Sequence, residues 1–221
     1  MIAAIVLAAG ASRRLGRNKL LLPFRGGTVL SATVARVLES PVDQAVVVVG
    51  HEADDVRRLG GLPADPRLSV VDNPDWASGM ASSLRTGLAA CADAVAVIVA
   101  LGDQPGIDPA VVARLVDASR AGAALAVPIH EDASTPEGER VGHPVLFGRA
   151  LFAELGALFG DTGAREVVKR HWARTARVEG APVRDVDTEA DYAALVAGTP
   201  ATDEGLESPK PGSLSSKGHL G

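Results

Sequence analysis

Over its first 130 residues the chain alternates short apolar runs, rich in Val, Ile and Ala, with longer stretches whose apolar positions recur at helical spacing. Runs of the first kind, uninterrupted by polar residues, are the pattern of strands buried on both faces. They predict strands at 2–7, 44–49, 68–71, 95–99 and 124–128. The amphipathic stretches predict helices at 29–38, 53–59, 80–91 and 109–120. After Pro128 the pattern changes. Residues 130–142 are polar and include Pro136 and Gly138, which predicts a mobile loop. A short strand is predicted at 145–147, helices at 149–158 and 164–172, and extended segments at 176–178 and 184–186. A last helix is predicted at 189–196, with Thr188 as its amino-terminal cap. From Gly198 onward Gly, Pro, Ser and Lys dominate. The organisation expected is therefore one folded domain over 1–197 and a disordered tail or expression remnant over 198–221.

A βαβα rhythm implies a three-layer α/β architecture: a mainly parallel, Rossmann-like sheet covered by helices on both faces. In such sheets ligands bind in the crevice outside the carboxyl ends of the strands. Gly10, Gly50, Asn73 and Gly102 each fall just after a predicted strand end. The rule thus gathers loop 8–19, loop 73–83 and Asp103 around one crevice.

Composition narrows the function classes. A 221-residue chain with 47% hydrophobic and 22% charged residues can build a sizeable core, and with 3% aromatics that core must use small aliphatic side chains. Net charge is −5, against general nucleic-acid binding. Against this acidic background Arg13, Arg14, Arg17, Lys19 and Arg25 form a local basic cluster, which marks a site rather than a trend. The lone Cys91 excludes an intramolecular disulfide and reads as an inert thiol. The first apolar run is too short for a membrane span and no basic segment precedes it, so a cytoplasmic protein without membrane or nucleic-acid partners is expected.

The most informative segment is Leu7-Ala8-Ala9-Gly10-Ala11-Ser12-Arg13-Arg14-Leu15-Gly16-Arg17-Asn18-Lys19. It turns off the end of a buried strand with small residues that admit close backbone approach, and it carries four cations within seven residues. Exposed amides beside Arg and Lys suit a polyphosphate. The Gly-Lys-Ser/Thr ending of a Walker loop is missing, as is the Gly-x-Gly-x-x-Gly spacing of a dinucleotide fingerprint. The pattern L-A-A-G-x-S-x-R-x-G-x-x-K resembles the signature loop of nucleotidyltransferases, especially the molybdenum-cofactor (molybdopterin) nucleotidyltransferase-like family and its cytidylyltransferase branch. Matches continue in that family's order through 73–80, 83–88, 102–105, 142–147, 160–165 and 185–188, covering roughly 2–197.

The resemblance implies the nucleotide-diphospho-sugar transferase fold. It also implies transfer of a nucleoside monophosphate from its triphosphate to a phosphorylated acceptor, with release of pyrophosphate. Such an in-line displacement needs the triphosphate neutralised, the α-phosphate polarised and the nucleophile aligned. An acceptor phosphate is already ionised near neutral pH, so no general base is required.

Asp103 follows an apolar run that places its carboxylate at the open end of a strand, where Mg²⁺, which favours one or two carboxylates, could be held. Asp108 is free to cap the next helix instead. The resemblance assigns Asp103 to the metal, and Asp187 is the second candidate ligand, with Asp185 an equal alternative. By the same resemblance Arg14 and Lys19 contact the triphosphate. Leu7, Ala8, Ala9, Gly10 and Ser83 contact the nucleotide, Ser83 alternatively being a helix cap. His143, Asp161 and Arg165 line the acceptor pocket, with a structural histidine and an ordinary ion pair as the competing readings. Arg13 and Arg17 read as exposed, Trp76 as a stacking surface or lid anchor, and His51 receives no role. Ala8-Ala9-Gly10 favours CTP over GTP by resemblance. The implied partners are that nucleotide, a pterin phosphate such as molybdopterin, and a molybdoenzyme that receives the product. Two alternatives remain: an NAD(P)H-dependent oxidoreductase of the nicotine blue type, and guanylyl transfer to molybdopterin or a phospholactate-type acceptor.

Overall fold

The computed structural model describes residues 1–131, 139–181 and 183–198. In chain order the elements are β1 (Ile2–Ala8), β2 (Pro23–Phe24), β3 (Gly27–Thr28), α1 (Val29–Leu38), β4 (Gln44–Val49), α2 (Ala53–Leu59), β5 (Leu68–Asp72), α3 (Met80–Ala90), β6 (Ala96–Leu101) and α4 (Pro109–Arg120). There follow β7 (Leu125–Glu131), β8 (Glu139–Val141), β9 (Val145–Gly148), α5 (Phe152–Gly156), α6 (Arg165–Arg170), β10 (Ala176–Glu179) and α7 (Glu189–Ala197). The main sheet runs β10-β7-β9-β6-β1-β4-β5, with β8 added to β7. It is parallel except where β9 runs antiparallel to both β6 and β7, and where β8 runs antiparallel to β7. The fold is the expected mixed α/β one with a large, mostly parallel sheet.

Alternation along β1 explains the layers. Ala4, Val6 and Ala8 face one side and pack with Leu30, Val34 and Val37 of α1, Val56 of α2 and Leu115 of α4. Ala3 and Ile5 face the other, with Leu84 and Leu88 of α3, Leu155 of α5 and Val167 of α6. Successive strand residues point to opposite faces, so a strand apolar at every position needs a helical layer on each side.

Helices α1, α2 and α4 occupy the spans their periodicity predicts. Asp108 caps α4 by accepting from the amide of Ala110, and Thr188 caps α7 in a reciprocal box with Asp191. Three expectations are corrected. Part of the predicted loop 130–142 is sheet, because β7 runs on to Glu131 and pairs with β8 in the register Ile129 to Val141; residues 132–138 lie outside the described set. The predicted helix 149–158 is a 3-10 turn, Arg149–Leu151, followed by the short α5. Residues 184–186 form no strand; Val186 is instead pinned by donating its amide to the carbonyl of Asp103, 3.2 Å away. The tail expected at 198–221 lies outside the described residues from 199 onward.

Candidate active site

Four parallel strands end at one edge of the sheet, and the chain leaving each of them builds the site. Behind β1, residues Ala9 to Ser12 turn away. The Gly102 amide donates to Leu7 and the His51 amide to Ala9, at 2.9 and 3.2 Å. Ser12, with φ 48°, organises the loop. Its carbonyl accepts from Leu15 and Gly16, and its hydroxyl accepts from the amide of Lys19 at 3.2 Å. That last bond gives a reason for the Ser-to-Lys spacing: the serine fixes where the lysine leaves the backbone. Asn18 then caps the 3-10 turn Lys19–Leu21 through the amide of Leu20.

The result is a cleft of 540 Å³ lined by loop 7–14 with Lys19, by Trp76, Gly79, Met80 and Ser83 on the rim, and by Asp103, Asp161, Asp185 and Asp187. Lys19 is central to it. Its ammonium donates to Asp103 Oδ2 and, at 2.7 Å, to Asp187 Oδ1. Arg14 donates to the other oxygen of Asp187 at 2.9 Å. The side chains of Lys19 and Asp103 are 17% and 11% exposed, against 77% for Arg14, so the Lys19–Asp103 contact is far less screened by solvent. Burial works against the charge on Lys19, but Asp103 and Asp187 outweigh it and raise the pKa above the usual lysine value. Burial also lifts the Asp103 carboxyl above the usual aspartate value, opposed by Lys19 and reinforced by Asp185.

Asp185 accepts from the buried Gln104 amide at 2.5 Å. Asp103 and Asp187 therefore share a cation, whereas Asp185 is engaged by an amide. Asp187, and not Asp185, thus shares the Lys19 ammonium with Asp103.

Ser83 is not a cap. It lies within α3, is buried, and accepts from the Asn73 side-chain amide at 2.9 Å; Gly79 holds the N-cap position without a side-chain bond. Asn73, just beyond β5, also reaches Ser82 at 2.8 Å and so fixes the start of α3 against the sheet edge. Trp76 meets His51 edge-on, with ring centroids 4.9 Å apart. Gly50 permits this contact: a Cβ there would fall 2.5 Å from Trp76 Cβ and 2.9 Å from Ala9 Cβ.

The candidate acceptor residues divide. Asp161 lines the cleft with Met80 and Ser83, while His143 and Arg165 are not among its lining residues. His143 is half-buried, and its Nδ1 is enclosed without a hydrogen-bond partner among the described residues. Burial lowers its pKa, Asp185 and Asp103 pull it back up, and Arg165 adds to the lowering, so all four belong to one electrostatic neighbourhood. Arg17 is exposed but engaged: it forms a two-pronged pair with Glu189 at 3.0 and 2.9 Å and lies 6.0 Å from the Tyr192 ring. Cys91 is buried and its thiol is pushed up to about 11, so it is inert at neutral pH.

Asn73, Gln104 and Trp76 were not ranked as site residues from sequence. Asn73 and Gln104 carried a usable signal, since each is a polar amide immediately beyond an apolar strand.

The family model for the MobA-like NTP transferase domain matches residues 4–176. The chain belongs to that family. The chain is similar to a nicotine blue oxidoreductase from Paenarthrobacter nicotinovorans, 36% identical over 171 residues and covering 76% of this chain and 82% of that protein. The molybdenum cofactor cytidylyltransferase of Escherichia coli is 23% identical over 189 residues, covering 85% and 92%. Among solved structures, Rv0371c of Mycobacterium tuberculosis superposes with a TM-score of 0.74 at 36% identity, covering 89% of this chain and 97% of that one. Its complex with manganese superposes at 0.70. As a member of the MobA-like family the chain is an enzyme of the nucleotidyltransferase type, in a family that commonly uses divalent metals. No helix among the described residues is long and apolar enough to cross a membrane.

Proposed function

We propose that this enzyme transfers a nucleoside monophosphate, CMP in preference to GMP, from a magnesium-bound triphosphate to the phosphate of a pterin acceptor of the molybdopterin kind. The observation that carries the reading is the convergence of Asp103 and Asp187 on one cationic centre beside the Ala9–Ser12 loop. A cation held there by two carboxylates matches the ligand demand of Mg²⁺, which takes one or two carboxylates and fills its octahedron with phosphate oxygens and water. When bound, the metal neutralises the triphosphate and polarises its α-phosphate.

The rest is work for the chain itself. Amides of Ala9, Gly10 and Ala11 face the phosphates, and Lys19 and Arg14 bear on the charge that grows as pyrophosphate leaves. Leu7, Ala8 and Ser83 contact the base and sugar. Asp161, His143 and Arg165 receive the acceptor and hold its phosphate oxygen in line. The Ala8-Ala9-Gly10 sequence and the likeness to a cytidylyltransferase support CTP. By analogy with that relative, a molybdoenzyme would receive the product and the reaction would take place in the cytoplasm.

A second reading follows from the likeness to nicotine blue oxidoreductase: the same cleft would bind NADH or NADPH. Thermal stabilisation by CTP, GTP, ATP, UTP, NADH and NADPH, each with and without Mg²⁺, separates the readings, because a ligand that binds the native state raises its stability by mass action. A magnesium-dependent shift with CTP supports the transferase. A shift with a nicotinamide cofactor that ignores Mg²⁺ supports the oxidoreductase. Asp103→Ala should lower pyrophosphate release by roughly 100-fold or more, the scale of removing one stabiliser of transition-state charge. Unchanged turnover would remove Asp103 from the reaction.

A further inference from the structure

We propose that Lys19 is an internal counter-ion for the divalent-metal site, so that the metal is admitted only when a triphosphate draws the lysine away. The inference rests on the reading of Asp103 and Asp187 as metal ligands. Its basis is the use of the same oxygens twice. Asp103 Oδ2 and Asp187 Oδ1 both accept from the Lys19 ammonium, and Arg14 takes the remaining Asp187 oxygen.

A divalent cation bound between these carboxylates would compete with the ammonium for both of those oxygens. Two cations pressed into one partly buried position repel strongly, the more so because the lysine and Asp103 are shielded from water. Lys19 must therefore leave, and leaving without a new anion would strand its charge. The lysine backbone is held by the Ser12 hydroxyl, but its four-carbon stem can swing from the carboxylates to phosphates seated over Ala9 to Ser12. A triphosphate supplies the missing anion, whereas the metal alone does not. Charges facing the ammonium come from every wall: Asp103 beyond β6, Asp187 before α7, and Arg14 in the basic loop, with Asp185 acting on Asp103.

The consequence is ordered assembly, with nucleotide before or together with metal. The test is Mn²⁺ binding to the full chain at pH 8, read by the electron paramagnetic resonance of free Mn²⁺. Wild type, Lys19→Met and the double variant Lys19→Met/Asp103→Asn are compared without nucleotide. Lys19→Met should bind Mn²⁺ at least about tenfold more tightly than wild type, on the scale of a close charge pair. The double variant should lose that gain. Lys19→Gln carries the same expectation should the Met variant fail to fold, and Lys19→Arg, which keeps the charge, should bind Mn²⁺ as weakly as wild type.

A non-hydrolysable CTP analogue, with the ternary complex followed by water-proton relaxation, should close most of the gap between wild type and Lys19→Met. Equal Mn²⁺ affinity of wild type and the uncharged variants without nucleotide overturns the proposal. If Asp103→Asn then still abolishes the ternary complex, the metal assignment survives that failure. If Asp103→Asn leaves the ternary complex unchanged, the metal assignment falls as well.

Discussion

At the scale of single residues, the cleft shows charge used against burial. His143 is half-buried, its enclosed Nδ1 has no hydrogen-bond partner among the described residues, and burial holds its pKa below 6.5. In the unfolded chain the imidazole takes up a proton as pH falls through 6.5, while in the folded chain it does so only at lower pH. Between the two values the unfolded state binds more protons, so stability must fall as pH drops through that window. Denaturant unfolding from pH 8 to pH 5 should show this decline, and His143→Gln should flatten it. A variant as acid-sensitive as wild type would place the titration elsewhere. Lys19 and Asp103 show the same conflict resolved by pairing rather than by neutralisation.

At the scale of elements, two loops from distant parts of the chain meet backbone to backbone. Gly79, with φ 109°, ends the 3-10 turn Trp76–Ser78 and precedes α3, and the amide of Ala81 donates to the carbonyl of Gly160 at 3.0 Å. A Cβ on Gly79 would lie 2.2 Å from the Gly160 carbonyl carbon and 2.7 Å from the Asp161 amide nitrogen. No rotamer relieves a clash with backbone, and the positive φ disfavours any L side chain. Gly79→Ala should therefore part the rim that carries Trp76 and Met80 from the segment that carries Asp161. Expected are a loss of about 1–3 kcal/mol of stability by denaturant titration and weaker binding of both substrates. Loss of nucleotide affinity alone would show that the two loops act independently.

This contact was invisible in the sequence, because the start of the helix predicted at 80–91 and the motif at 160–165 lie far apart in the chain and nothing local says that they touch. What periodicity records did come through: α1 and α4 pack the faces their patterns predict, and the strand-end rule brings Ala9, Asp103 and Ser83 to one edge. It failed where tertiary contacts decide. Residues 184–186 look extended, yet Val186 is placed by one bond to Asp103 rather than by a strand ladder. Residues 149–158 have a helical pattern that the chain breaks into a 3-10 turn and a short helix. Asp185 and Asp187 were equivalent on paper, and only the partners Gln104 and Lys19 separate them.

At the scale of the whole molecule, the basic loop of the cleft is braced by the last described helix and the residues just before it. Arg14 is tied to Asp187 and Arg17 to Glu189, while the Tyr192 hydroxyl donates to the carbonyl of Pro23 at 2.7 Å. Each pair is solvent-exposed and contributes little alone, but together they attach the basic loop and β2 to α7 and to Asp187 just before it. Val186, Tyr192 and Leu195 also pack with Leu22, Phe24 and Val29, away from the two main cores. Helix α7 thus braces the loop beside the site, although the family match ends at residue 176. Two truncations separate its contribution from that of the chain beyond it. Removing 199–221 should leave the melting temperature within about 2 °C of the full chain, since that stretch is dominated by Gly, Pro, Ser and charged residues and offers few apolar side chains to bury. Removing 188–221 strips Glu189 and Tyr192, frees the loop that carries Arg14 and Lys19, and should weaken nucleotide binding by about tenfold or more while the main sheet still unfolds cooperatively. Equal nucleotide affinity for the two truncated proteins would show that the loop holds its conformation without the helix.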